Sequence, residues 1–124
     1  MKITLCGSTK YRDAFTHANR VLSKAGHIVY SVASFGHHED DMTEEDKIML
    51  DLVHFRKIVE SDAILIVGGD GLTLHESEVS AFQHYIGFST RREIAWAKMW
   101  GKPIYGGWRR APSVDCDVFT PLEN

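Results

Sequence analysis

The segment Asp62 to Val67, DAILIV, constrains this chain most: after one acidic residue it is apolar throughout, the pattern of a strand covered on both faces rather than one. Covering both faces takes helices, and the chain supplies them in alternation with further short strands. Lys2 to Cys6 (KITLC) reads as a buried strand closed by Gly7-Ser8, His27 to Ala33 (HIVYSVA) as the next, and Pro103, Ile104 and Tyr105 as a short last one. From Tyr11, apolar residues recur at helical spacing through Ala14, Phe15, Ala18, Val21, Leu22 and Ala25 and stop at Gly26, a suitable residue just past a helix end.

A second helix opens at Thr43-Glu44-Glu45-Asp46, a capping box with Asp in its last place. It runs to Glu60, with Ile48, Met49, Leu52, Phe55 and Val59 as the stripe expected to be buried. Ser89 or Thr90 can cap a third helix containing Ile94, Ala95, Ala97 and Met99, which stops at Gly101-Lys102 ahead of Pro103. From Gly106 onward the chain reads as irregular, with Val114, Cys116 and Val118 alternating weakly.

Strands alternating with helices imply right-handed crossovers and therefore the α/β class. The expected form is a small doubly wound domain, flavodoxin-like or Rossmann-like, with roughly four to five mostly parallel strands flanked by helices. At 124 residues the chain is read as a single domain over 1–124. In such sheets ligands bind beyond the carboxyl ends of the strands, so the loops Gly7 to Arg12, Ser34 to Met42 and Gly68 to Phe88 should share one edge.

Charge narrows the partners. Fourteen Lys plus Arg against seventeen Asp plus Glu leave a net charge of −3, which offers no field to gather a nucleic acid polymer. No apolar run approaches the roughly 20 residues of a membrane span, and MKITLCGS leads straight into a strand pattern, so no membrane association and a cytoplasmic location are expected. Cys6 and Cys116 need not pair in a domain of this size, and a reducing compartment is the default.

Three segments could carry chemistry. LCGSTKYR, Leu5 to Arg12, ends a strand in Gly-Ser-Thr and opens a helix: Gly7 admits close backbone approach, and Ser8, Thr9 and Lys10 add donors to the free amides of a first helical turn. This is a phosphate or carboxylate cradle, although a capped strand-to-helix turn would look the same. YIGFSTRREIAWA, Tyr85 to Ala97, places Arg91 and Arg92 at a helix start, where the macrodipole disfavours cations and either an anionic ligand or nearby acids would offset the cost. Glu93, three residues after Thr90, is either the second half of a capping box or a carboxylate able to attack or stabilise a developing cationic sugar carbon. VGGDGLTLHESE, Val67 to Glu78, surrounds Asp70 with Gly68, Gly69 and Gly71 in a long connection that serves equally as a substrate turn or a plain surface loop.

Of seven histidines, His37 and His38 precede Glu39, Asp40 and Asp41, and His75 precedes Glu76 and Glu78, but this spacing matches no metal-ligand pattern and solvated loops are the simpler reading. His54 differs, because its helix leads directly into the central strand and can present it at the ligand edge, or leave it as an ordinary helix histidine.

Taken in order, LCGSTKYR, HFRKIVESDAILIV and YIGFSTRREIAWAKMWGKPI resemble the nucleoside 2-deoxyribosyltransferase-like superfamily, which includes deoxynucleoside 5′-monophosphate N-glycosidases. The resemblance extends nearly to Ile104, with Gly68 to His84 as an enlarged insertion. It implies cleavage of the bond between a base and C1′ of a deoxyribose, with Glu93 as nucleophile. Sugar and phosphate contacts carry over to Gly7, Ser8, Lys10, Ser89 and Thr90, and Thr9, Tyr85, Gly87 and Arg91 complete the substrate candidates. The chain departs from the family where Thr4 stands in place of a tyrosine and where the Gly87 region replaces an aspartate. Another family aspartate falls near His54, which makes His54 or Asp70 the substitute acid.

The expected protein is thus an N-glycosidase or deoxyribosyltransferase for a small-molecule nucleoside or nucleotide, using no cofactor and no metal. Homo-oligomerisation is expected as well, with Trp96, Trp100 and Trp108 either at the contact or in the core. Two other readings stand beside it. Gly71 and Glu76 loosely resemble the PGGxGTxxE signature of cytokinin-activating phosphoribohydrolases, which would direct the same bond cleavage to ribonucleotides. A non-catalytic nucleotide sensor would keep the fold without the chemistry.

Overall fold

The structure, a computed structural model, describes residues 1–9, 12–34, 42–67, 88–106 and 120–121. In chain order these form β1 (Lys2–Cys6), α1 (Arg12–Lys24), β2 (Ile28–Tyr30), α2 (Glu44–Glu60), β3 (Ala63–Ile66), α3 (Phe88–Met99), β4 (Ile104–Gly106) and β5 (Thr120–Pro121). The sheet runs β2-β1-β3-β4-β5, its first four strands parallel and β5 antiparallel to β4. The α/β doubly wound reading therefore holds. Strand β5 was not foreseen: two residues ending in proline carry no strand pattern of their own, and the pairing of Tyr105 with Pro121 and Gly106 with Thr120 comes from the exposed edge of β4.

The chain passes from β1 outward to β2 and then returns to β3 on the other side of β1, so the strand order reverses between β1 and β3. That switch point is where open α/β sheets bind ligands. Cys6 ends β1 opposite Ile66, the amide of Val67 donates to the Cys6 carbonyl at 2.7 Å, and Gly7 follows with φ of 146°. A Cβ at Gly7 would collide with the Val67 carbonyl oxygen, so only glycine lets the chain leave β1 this close to the end of β3.

Side-chain alternation along the central strands sorts residues to opposite faces. Ile3 and Leu5 of β1, with Leu65 and Val67, pack under Phe15, Ala18 and Leu22 of α1, all fully or almost fully buried. These are the α1 positions expected from the sequence, and Gly26, with φ of 95°, ends that helix as expected. On the other face Cys6, Ile64, Ile66 and Ile104 meet Ile58 of α2 and Ala97 of α3, with Phe55, Ile94 and Trp96 at the margin.

Helix α2 begins as anticipated, with Thr43 and Asp46 forming a reciprocal capping box at 3.1 Å in both directions. Its buried stripe does not follow expectation, because Ile48, Met49 and Leu52 are exposed. The helix turns His54, Lys57 and Ile58 inward, and of the expected stripe Phe55 packs at the margin of the core. Polar bonds hold it there: the Thr4 hydroxyl donates to the Lys57 carbonyl at 3.1 Å, and Lys57 Nζ donates to the Ser31 carbonyl at 2.8 Å. Burial lowers the pKa of Lys57, and that carbonyl partly compensates its lost hydration. Among the described residues no helix is long and apolar enough to cross a membrane.

Candidate active site

Three elements converge at the switch point. Cys6 lies at the end of β1, His54 two turns before the end of α2, and Glu93 in the second turn of α3. His54 Nε2 is 3.4 Å from Glu93 Oε1 and 3.5 Å from Cys6 Sγ, so a single ring nitrogen faces both neighbours. Cys6 is fully buried, while the side chains of His54 and Glu93 retain 12% and 13% exposure. Burial pushes the Cys6 thiol well above its ordinary pKa, and the adjacent Glu93 carboxylate pushes it further in the same direction.

Helix α3 is held against α2 on both sides of Glu93. The indole of Trp96, one turn further on, donates to the Phe55 carbonyl at 3.1 Å, and its ring centroid is 5.4 Å from that of Phe55. Arg92, the residue before Glu93, lies with its guanidinium carbon 5.3 Å from the Phe55 ring centroid and its Nη1 3.9 Å from Asp51 Oδ2. The exposed ion pair adds little, but the stacked guanidinium and the indole bond fix the helix spacing. Arg92 is thus turned to an acid and an aromatic ring on α2, the bland alternative for that cation. Trp96 is half-buried between the helices, whereas Trp100 is half-exposed beside it, 6.1 Å between centroids; Trp108 lies outside the described residues.

The expectation that Ser89 or Thr90 caps α3, with Glu93 closing a capping box on Thr90, is corrected. The helix is already formed at Phe88, which puts Ser89 and Thr90 inside its first turn, and the Glu93 carboxylate turns to His54. Thr90 is buried, while Ser89 and Arg91 are exposed on the same turn. Gly7, Ser8 and Thr9 are half-buried at the carboxyl end of β1, the edge that the Glu93 site occupies.

The structure thus brings His54 and Glu93 together as the sequence suggested. Lys10, Asp70, Tyr85 and Gly87 lie outside the described residues, as do His37, His38 and His75 with their acidic neighbours. Cys6 was missed, because a cysteine ending a buried strand reads as core and only the pairing of β1 beneath α2 shows what it touches.

Among solved structures the fold is similar to the 2-deoxyribosyltransferase of the psychrotolerant bacterium Bacillus psychrosaccharolyticus, characterised as a biocatalyst for nucleoside synthesis. The TM-score is 0.59 at 19% identity, covering 84% of this chain and 69% of that one. The chain shares the deoxyribosyltransferase fold, so the resemblance read in its sequence is met at the level of architecture. No protein-family model matches the sequence, and no curated protein matches it.

Proposed function

We propose that the protein cleaves or transfers the N-glycosidic bond of a nucleoside or nucleoside 5′-monophosphate, with Glu93 as nucleophile. The observation that carries this reading is the position of Glu93: a nearly buried carboxylate at the β1/β3 switch point, held beside an imidazole. Breaking the bond between C1′ and the base nitrogen leaves oxocarbenium character on the sugar, which a carboxylate oxygen can trap as a glycosyl ester. The leaving base takes up a proton. Water, or a second base, then attacks C1′ and frees the carboxylate, which makes the outcome hydrolysis or transfer.

In this scheme His54 fixes the carboxylate and is the described group placed to pass a proton. Gly7 admits the ligand close to the backbone, and Ser8, Thr9, Ser89, Thr90 and Arg91 supply the donors and charge for a sugar hydroxyl or a 5′-phosphate. Cys6 lies as close to His54 as Glu93 does, but its chemistry opposes a nucleophilic role. Nucleophilic cysteines sit where their pKa is depressed, and here burial and Glu93 raise it.

The test is base release from deoxynucleoside and ribonucleoside 5′-monophosphates, followed by chromatography. The wild-type chain should liberate base, and Glu93→Ala should slow that release by on the order of 10³-fold or more. Turnover that survives Glu93→Ala removes Glu93 from the role. Nucleotide binding with no base released by the wild type would point instead to a sensor, and the preferred sugar separates deoxyribosyl from phosphoribosyl substrates.

A further inference from the structure

The Cys6, His54 and Glu93 side chains do more than surround a carboxylate: their ligand atoms all lie within 4.8 Å of one another, one from a thiol, one from an imidazole and one from a carboxyl group. We propose that these residues form a Zn²⁺ site with three protein ligands and a fourth position open to water, and that the ion, once bound, withdraws Glu93 from glycosyl chemistry.

Geometry supports this in two of the three ligand pairs. A tetrahedral zinc ion with Zn–S of about 2.3 Å and Zn–N and Zn–O of about 2.0 to 2.1 Å separates sulfur from nitrogen by about 3.6 Å and nitrogen from oxygen by about 3.3 Å. The observed separations are 3.5 Å for Cys6 Sγ to His54 Nε2 and 3.4 Å for His54 Nε2 to Glu93 Oε1. The nitrogen–oxygen separation is long for a direct hydrogen bond and matches the spacing around an ion. The donor set of one soft sulfur, one imidazole and one carboxylate suits zinc and excludes magnesium or calcium, which take oxygen ligands. Because the ligands come from β1, α2 and α3, separate elements already fixed by packing, binding requires little rearrangement.

Binding has a proton cost that fixes its pH dependence. The Cys6 S–H bond breaks as the Zn–S bond forms, and about one proton leaves for solvent per ion; His54 must offer an Nε2 lone pair and Glu93 its anion. Release of that proton makes affinity rise with pH. Zinc and the sugar carbon compete for the same Glu93 oxygens. The inhibitory half of the proposal therefore rests on the glycosyl-transfer reading, while the binding half does not.

The experiment uses the full chain, reduced and stripped of metal with a chelator, titrated first with Co²⁺ and then with Zn²⁺. Expected are uptake of one Co²⁺ per chain with a thiolate-to-cobalt charge-transfer band, displacement by Zn²⁺, and a higher Tm with zinc. Cys6→Ser should abolish the band and weaken Zn²⁺ binding by on the order of 100-fold or more. His54→Gln, checked for fold by circular dichroism, provides the same comparison should Cys6→Ser not fold. No uptake, or uptake without the band and unchanged in these variants, overturns the site. Base release measured with chelator and with Zn²⁺ separates the two readings. Zinc binding without any base release removes the glycosidase but keeps the metal site, and base release untouched by Zn²⁺ removes the metal's inhibitory role.

Discussion

The two faces of the central sheet are built from the same strands and do different work. Against α1, Ile3, Leu5, Leu65 and Val67 meet Phe15, Ala18 and Leu22 in an apolar layer. Against α2 and α3, one residue further along each strand, the layer includes Thr4 and Cys6 and continues outward into His54 and Glu93. The difference teaches that alternate positions of one strand can serve an apolar layer on one side and a polar cluster on the other. The first face anchors β1 so firmly that the second can carry polar and reactive groups in a nearly buried place.

The comparison breaks most visibly on the α1 side. Phe15→Ala removes a fully buried ring and should cost about 3 to 5 kcal/mol of unfolding free energy, measured by denaturant titration. Base release per folded molecule should fall far less than with Glu93→Ala, because Phe15 packs on the sheet face opposite Cys6 and the α2 and α3 contacts. A large loss of specific activity in the folded fraction would show that the faces are not independent.

Gly7→Ala strikes where the faces meet. The positive φ and the collision with the Val67 carbonyl should cost about 1 to 3 kcal/mol and shift the end of β1, so stability and activity should fall together. A variant of unchanged Tm and full activity would contradict the described path of the chain.

The mildest perturbation is titration. The Cys6 thiol has its pKa raised in the folded protein, so folding favours the protonated form. That contribution is complete below the unfolded thiol value of about 8.5 and declines as pH rises above it. In metal-free protein near pH 8, Cys6 should therefore resist iodoacetamide, as read from the mass of its peptide, and react promptly in denaturant. Fast alkylation of the native chain would place the thiol in solvent.

Much of the architecture could be read from residue order. The apolar run of β3, the α1 stripe and the Thr43 to Asp46 cap each rest on local chemistry and appear as expected. Local patterning failed on α2. Its most apolar stripe, Ile48, Met49 and Leu52, stays exposed, while His54 and Lys57 turn inward because partners from β1, α3 and the chain after β2 satisfy them. No rule of spacing contains those partners. The site was legible in part for the same reason: Glu93 and His54 sit on long helices whose direction follows from topology, whereas the role of Cys6 depends on strand pairing. β5 is placed by its pairing with β4.

The clamp between α2 and α3 has a consequence for how such a protein can diversify. The distance from imidazole to carboxylate is set by an indole hydrogen bond and a stacked guanidinium on two helices, and the thiol by a strand end, so none of the three reactive atoms belongs to segments 35–41 or 68–87. Substitutions, insertions or exchanges in those segments therefore leave in place the residues that set this spacing. The spacing of the three groups is therefore inherited on the strand end and the two helices that carry them.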